Sequence, residues 1–352
     1  MSALALAPQG RPLGLLAEHF WTRGQRGPRR PTRRRGSKNN HRPRKDRESF
    51  LWVKMVRQVE KRLALVAPGT KAHYLGDRGA DCLSFLIEAA DEGLLVTIRA
   101  QHDRCLLWPN GQRGRLLPSL QRQPVIGSYQ LDVPLRANQV ARTATMLVRV
   151  ARMPLSLRIT ETRRRVLETT VVLVTEPHPP RGQKPLRWML FTTKAVHTVA
   201  DAMSVVEGYA LRWRIEDFFK TWKSGACDVE ASKLESKNAI LRWVTIMASV
   251  AARIESIRHA ARETPARPAT DFFSRDEIDA AIILYKNGLS KIRVPYQPGD
   301  TPTVAELTRW IASLGGHMGN PKTRPPGPKV IQRGLEFVAG GASVLAAQRR
   351  CD

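Results

Sequence analysis

Four residues between Tyr209 and Lys223 are placed to do chemistry together. Tyr209, Arg212, Glu216 and Lys223 are spaced Y-x2-R-x3-E-x6-K within YALRWRIEDFFKTWK. On an α-helix, at about 100° per residue, these offsets fall within roughly 60° of one another, so one helix over this stretch carries all four along a single stripe. One reading of the stripe is a solvated helix face on which Arg212 and Glu216 form an i,i+4 ion pair, worth a few tenths of a kcal/mol. The other is the edge of an active site, a metal-binding carboxylate flanked by cations that grip phosphate. Beside it, Leu211, Ile215, Phe218, Phe219 and Trp222 form an apolar stripe suited to packing against a sheet.

A second carboxylate stands where a strand ends. Lys71 to Gly76 reads as a short strand, followed by Asp77-Arg78-Gly79-Ala80-Asp81. An Asp at the C-terminal end of a strand, before a Gly turn into a helix, sets its carboxylate at the mouth of an α/β sheet, where ligands usually bind. Asp81 is expected to cap the following helix. That helix runs to about Asp91, Gly93 stops it, and Leu94 to Ala100 forms the next strand.

The Y-R-E-K spacing, its surroundings RWRIEDFFKTWKSGA, and the D-R-x-x-D setting of Asp77 resemble the DDE transposases of bacterial insertion sequences, specifically insertion-sequence family 4. The resemblance implies an α/β fold with a ribonuclease H-like mixed sheet, a β-rich insertion before the last catalytic helix, and an α-helical C-terminal region. It makes Asp77 and Glu216 the catalytic acids and metal ligands, with Mg²⁺ (or Mn²⁺ in its place) as cofactor. Tyr209, Arg212 and Lys223 become DNA backbone contacts. Trp188, on the strand read from Pro185 to Phe191, matches a Trp that stacks on a base turned out of the duplex; a place in the core is the open alternative.

The resemblance also marks an absence. Ala3 to Ala7 and Leu13 to Phe20, joined by Pro8 to Pro12, read as a β-hairpin lying within a sheet. In the family a similar hairpin follows the strand bearing the first catalytic Asp. The sequence is therefore expected to be N-terminally truncated, lacking that acid, its strand and the DNA-recognition region before it. Glu18, Asp46 and Glu48 are weak substitutes because none sits on a predicted central strand.

Composition agrees with a polyanionic partner. The 352 residues carry 58 Lys plus Arg against 31 Asp plus Glu, a formal charge of +27, and 42% hydrophobic residues suffice for a core. No apolar run of about 20 residues and no signal-like start occurs, so the chain reads as cytoplasmic, nucleoid-associated and without a membrane partner. The four cysteines show no C-x-x-C pairing, which argues against a zinc site or a disulfide framework.

Along the chain, residues 1–104 read as an incomplete ribonuclease H-like core. Its basic stretch 23–47 is either a disordered linker or a phosphate-binding loop. Residues 51–66 outline an amphipathic helix. Residues 105–200 read as the β-rich insertion, with strands at Ser128–Val133, Thr145–Val150, Leu155–Ile159 and Val166–Thr175. Its arginines, among them Arg149, Arg152, Arg158, Arg163, Arg164 and Arg165, face DNA or simply occupy polar strand faces. Residues 201–263 hold the final catalytic helix and a long helix from Lys237 to Glu263, capped by Ser236, that braces it. Residues 264–352 form a helical region with helices at Asp276–Leu289 and Val304–Leu314, the last clear one, and a glycine-rich tail that serves protomer pairing or generic packing.

The function expected is metal-dependent cleavage and strand transfer of double-stranded DNA in cut-and-paste transposition, in a homodimeric synaptic complex. With one acid missing, catalysis is expected to be impaired. The alternative is a non-catalytic remnant that binds DNA or pairs with a full-length transposase and inhibits it. An unrelated RNA-binding protein ranks last, since no aromatic R-G-F-type motif is present.

Overall fold

The computed structural model describes residues 1–21, 48–135, 140–288, 295–319 and 325–351. The basic stretch from Arg23 to Arg47 lies outside them. The chain forms two compact units. One is Trp21–Arg212; the other joins Ser2–Phe20 to Trp213–Asp352.

The first unit is built on an eight-stranded mixed sheet. Its strands are β3 (His73–Gly76), β4 (Leu95–Arg99), β5 (Cys105–Leu107), β6 (Arg113–Arg115), β7 (Gly127–Val133), β8 (Arg142–Arg158), β9 (Arg164–Thr175) and β10 (Arg187–Thr192). The order is β3-β4-β10-β9-β8-β5-β6, with β7 pairing β8. Only β3 and β4 are parallel among these described pairs. The run Val171-Val172-Leu173-Val174 is wholly buried, as expected of a strand covered on both faces. Val171 and Leu173 share a core with Val56 of α1 (Leu51–Val66), Phe85 and Leu86 of α2 (Leu83–Asp91), and Leu116 and Leu120 of α3 (Leu116–Gln121). Val172 and Val174 share the opposite core with Ala202, Val205, Val206 and Tyr209 of α4 (Val199–Ala210). The result is an α/β/α layering.

The sequence reading divides β8 into Thr145–Val150 and Leu155–Ile159, because proline removes a ladder donor. The strand instead runs through 17 residues, and β9 pairs with it continuously from Leu147 to Arg158, Pro154 opposite Glu168. Several insertion arginines are engaged locally: Arg165 pairs with Asp91 at 2.6 Å, Arg152 with Glu168 at 3.7 Å, and Arg149 donates to the Gln123 carbonyl at 3.1 Å.

The second unit is helical apart from a hairpin of β1 (Ser2–Leu6) and β2 (Pro12–Glu18). Among the described residues these two strands form a sheet of their own rather than part of the large one. Leu4 and Leu15 pack against Phe218 and Trp222 of α5 (Arg214–Lys223) and Ala248 and Ala251 of α6 (Lys237–Glu263). The apolar stripe of α5 thus meets a helix and a hairpin. The Ser236 hydroxyl caps α6 by accepting from Ala239 N–H at 3.1 Å. Its apolar stripe is core only in part: Ala248, Ala251 and Ile254 are buried, whereas Ile240 is exposed.

Helices α7 (Arg275–Gly288) and α8 (Val304–Leu314) pack with a third, α9 (Pro328–Cys351). The glycine-rich tail is therefore largely helical. Glycine costs about 1 kcal/mol in a helix interior, and here close approach explains it. A Cβ at Gly334 would lie 1.7 Å from the Ile311 carbonyl oxygen, and one at Gly315 would lie 1.9 Å from that of Val330. Only glycines let α8 and α9 come this near.

Candidate active site

Asp77 follows the last residue of β3, exposed, at the outermost strand of the described sheet. Its Oδ1 accepts from Gly79 N–H at 2.7 Å, which caps the short 3-10 turn Arg78–Ala80. Gly76, just before it, is a close-packed point: a Cβ there would lie 2.5 Å from Ala80 Cβ. Asp81 is not the cap of the following helix that its position suggests. Asp81 is buried instead. Its Oδ1 accepts from Arg104 Nε at 2.7 Å, and its Oδ2 accepts from Gln101 and His102 N–H at 2.7 and 3.0 Å. It holds the segment after β4 in place, while Cys82, at the N-cap of α2, makes no side-chain capping bond.

The parallel register aligns Gly76 with Ile98, so the residues that follow, Asp77 and Arg99, leave adjacent strands together. Arg99 was not singled out from sequence. Its neighbour became apparent only once β3 and β4 were paired. Burial, and then the cations of Arg78 and Arg212, lower the Arg99 guanidinium below its usual range. Its Nη2 donates to the Arg187 carbonyl at 3.2 Å. Arg78, Arg99 and Arg187 line a pocket of about 330 Å³ together with Gln101 and Asp103. Asp103 is already engaged, accepting from Leu117 N–H at 2.8 Å and Arg115 Nε at 3.3 Å.

Tyr209 lies at the end of α4, buried. Burial lifts its phenol above the usual range, so the hydroxyl stays protonated and able to donate. Arg212 and Arg99 pull the other way, and Asp77 adds a smaller upward push. The Arg212 guanidinium sits over the Tyr209 ring, 5.7 Å from its centroid. Half-buried Trp188 on β10 meets the same ring edge-on, with centroids 6.2 Å apart and planes at 66°. Asp77, Trp188, Tyr209 and Arg212 therefore belong to one unit, with Tyr209 at their centre.

Glu216 and Lys223 lie on α5 in the second unit. Glu216 is in the first helical turn, half-buried, and Lys223 is exposed in the last. The stretch from Tyr209 to Lys223 is not one uninterrupted α-helix. A 3-10 turn, Leu211–Trp213, separates α4 from α5. A 3-10 turn advances about 120° per residue rather than 100°, so the single-stripe spacing is broken around Arg212. No proline or glycine falls in Leu211-Arg212-Trp213 to signal it.

Of the weaker acids, Glu18 accepts from the Ser2 hydroxyl at 3.3 Å on the hairpin, and burial raises its pKa. Glu48 opens a 3-10 turn before α1, and Asp46 lies outside the described residues.

The sequence model described as the transposase DDE domain matches residues 39–252, more than half of the chain. The chain belongs to the transposase DDE domain family. The transposase match spans Asp77, Trp188, Tyr209, Arg212, Glu216 and Lys223. Transposases of this family act in DNA recombination and the movement of mobile elements, bind DNA, and generally use divalent metal ions. Among the described residues of this transposase, no group of three or more His, Cys, Asp or Glu side chains is gathered as a metal centre, and no helix is long and apolar enough to cross a membrane.

Proposed function

We infer that the protein is an insertion-sequence transposase of family 4, with the Y-R-E-K signature on a ribonuclease H-like core, acting on double-stranded DNA in cut-and-paste transposition. The observation that carries this reading is the setting of Asp77: an exposed carboxylate at a strand end, with Arg78, Arg99, Tyr209 and Arg212 about it. Carboxylate oxygens are hard donors suited to Mg²⁺ or Mn²⁺. Asp77 fits that requirement because its side chain is exposed and spends one oxygen on a single backbone N–H. Glu216 is the second ligand in this reading.

Bound divalent metals supply Lewis-acid stabilisation of the phosphorus and of the leaving oxygen. The chain's own residues place the DNA. Arg212 and Arg99 grip backbone phosphate through charge-assisted hydrogen bonds, Lys223 adds a point charge, and the protonated Tyr209 hydroxyl donates to the same backbone. Trp188 offers an indole face to a base turned out of the duplex, an interaction worth about 1–3 kcal/mol.

The count of matched acids favours a second reading. The family chemistry uses three carboxylates and two are matched here, so cleavage by this chain alone is expected to be weak. A chain that binds DNA without cutting, or pairs with a full-length transposase and inhibits it, is the alternative. Cleavage of a supercoiled plasmid carrying candidate element ends separates the two. Metal-dependent nicking removed by both Asp77→Asn and Glu216→Gln supports an active transposase. Retained salt-sensitive binding without nicking supports the inhibitor. Absence of both sinks the DNA reading altogether.

A further inference from the structure

The second unit holds an arginine-lined pocket in which His259 Nε2 and the Arg262 guanidinium have no acceptor among the described residues. It measures about 40 Å³ and is lined by Arg214, Arg258, His259 and Arg262, with Glu255 and Glu263. His259 is 8% exposed, and its buried Nε2 has no hydrogen-bond partner among the described residues. An unsatisfied buried nitrogen is costly, so such an atom usually marks a ligand or an ordered water.

The surrounding charges narrow the choice. Glu255 is engaged: Oε1 accepts from the buried Thr221 hydroxyl and Oε2 from Arg258 Nε at 3.0 Å. Arg258 and Arg214 also approach Asp217, at 3.8 and 3.7 Å. Arg262 differs, making no hydrogen bond or ion pair to a described residue. Burial, and then neighbouring Arg258, lower its pKa. Burial likewise lowers that of His259, with Arg214 the next cause, and Arg11 and Arg258 act in the same direction against Glu263. A neutral imidazole can still donate through Nε2–H. A pocket of about 40 Å³ lined by guanidinium groups suits the oxygens of a phosphate group.

We propose that this pocket is an oxyanion site in which His259 Nε2–H and the Arg262 guanidinium donate to one phosphate group, supplied either by a nucleic-acid backbone or as the free ion. The site lies wholly within the second unit, includes none of the residues assigned to cleavage, and stands or falls independently of that reading.

The test uses the full chain labelled with ¹⁵N-histidine, titrated at constant ionic strength with inorganic phosphate and, separately, with a short DNA duplex. The His259 signals are assigned by their loss in His259→Asn. Saturable shifts of those signals are expected, with Arg262→Gln weakening the response about tenfold, as for one lost charge-assisted bond. Arg214→Gln provides a second variant should Arg262→Gln fold poorly. Shifts with both titrants identify a backbone phosphate, and shifts with inorganic phosphate alone identify a free anion; either upholds the site. Unmoved His259 signals in both titrations overturn it, as does wild-type affinity in the folded variants.

Discussion

Asp77 and Asp81 are four residues apart in one D-R-G-A-D turn, yet the fold uses them in opposite ways. Asp77 is exposed and makes a single local bond to Gly79 N–H. Asp81 is 3% exposed, with its oxygens committed to Arg104 and two backbone donors. Burial therefore separates a carboxylate that can serve a ligand from one that holds a loop.

The sharpest way to break this contrast is through catalysis. Where the chain nicks plasmid DNA, Asp77→Asn or Glu216→Gln should lower the rate on the order of a thousandfold, because loss of a metal ligand removes several kcal/mol of transition-state stabilisation. The Asp77→Asn protein should keep the wild-type urea midpoint. The second outcome concerns stability. Asp81→Asn leaves Arg104, whose side chain is 16% exposed, without its carboxylate; a loss of about 3–5 kcal/mol follows for a buried pair broken on one side. Chemical denaturation measures it. Full stability with abolished nicking would reverse the roles assigned to the two aspartates.

A third measurement tests the cations beside Asp77. Arg99→Gln should reduce the slope of log Kd against log salt for duplex DNA by about 0.9, one phosphate contact. An equal change on Arg62→Gln, on the exposed face of α1, would make the effect generic. The smallest expected effect is a pH dependence. Burial, with Lys194 nearby, depresses His73 from 6.5 to about 4. Between those values the unfolded chain binds the proton and the folded one does not, so stability falls as pH drops from 6.5 towards 4. His73→Gln should flatten that part of the profile in thermal melts across the range.

What could be read from the chain depended on how local the signal was. The bounds of α6 and α8 were legible because a serine cap, a helical apolar period and Gly315-Gly316 are all local. Asp77 was legible for the same reason, as a strand end followed by a glycine turn. The burial of Asp81 was not, since it depends on Arg104, which arrives from beyond the next strand. Arg99 also required the pairing of β3 with β4. Helix α9 was hidden by glycines whose purpose appears only when α8 is laid against it. The 3-10 turn at Leu211–Trp213 left no mark in residue type.

The hairpin β1–β2 raises a matter of timing. Leu4 and Leu15 are synthesised more than two hundred residues before Ala248 and Ala251, against which they pack. Arg11, in the hairpin turn, likewise reaches the Ser256 hydroxyl at 3.5 Å. At translation rates of about 5–20 residues per second, the hairpin waits roughly 10–50 s for its partners. During that interval its apolar face is exposed to the ribosome surface, to chaperones and to other nascent chains. The hairpin thus reaches its final packing only after α6 has been made.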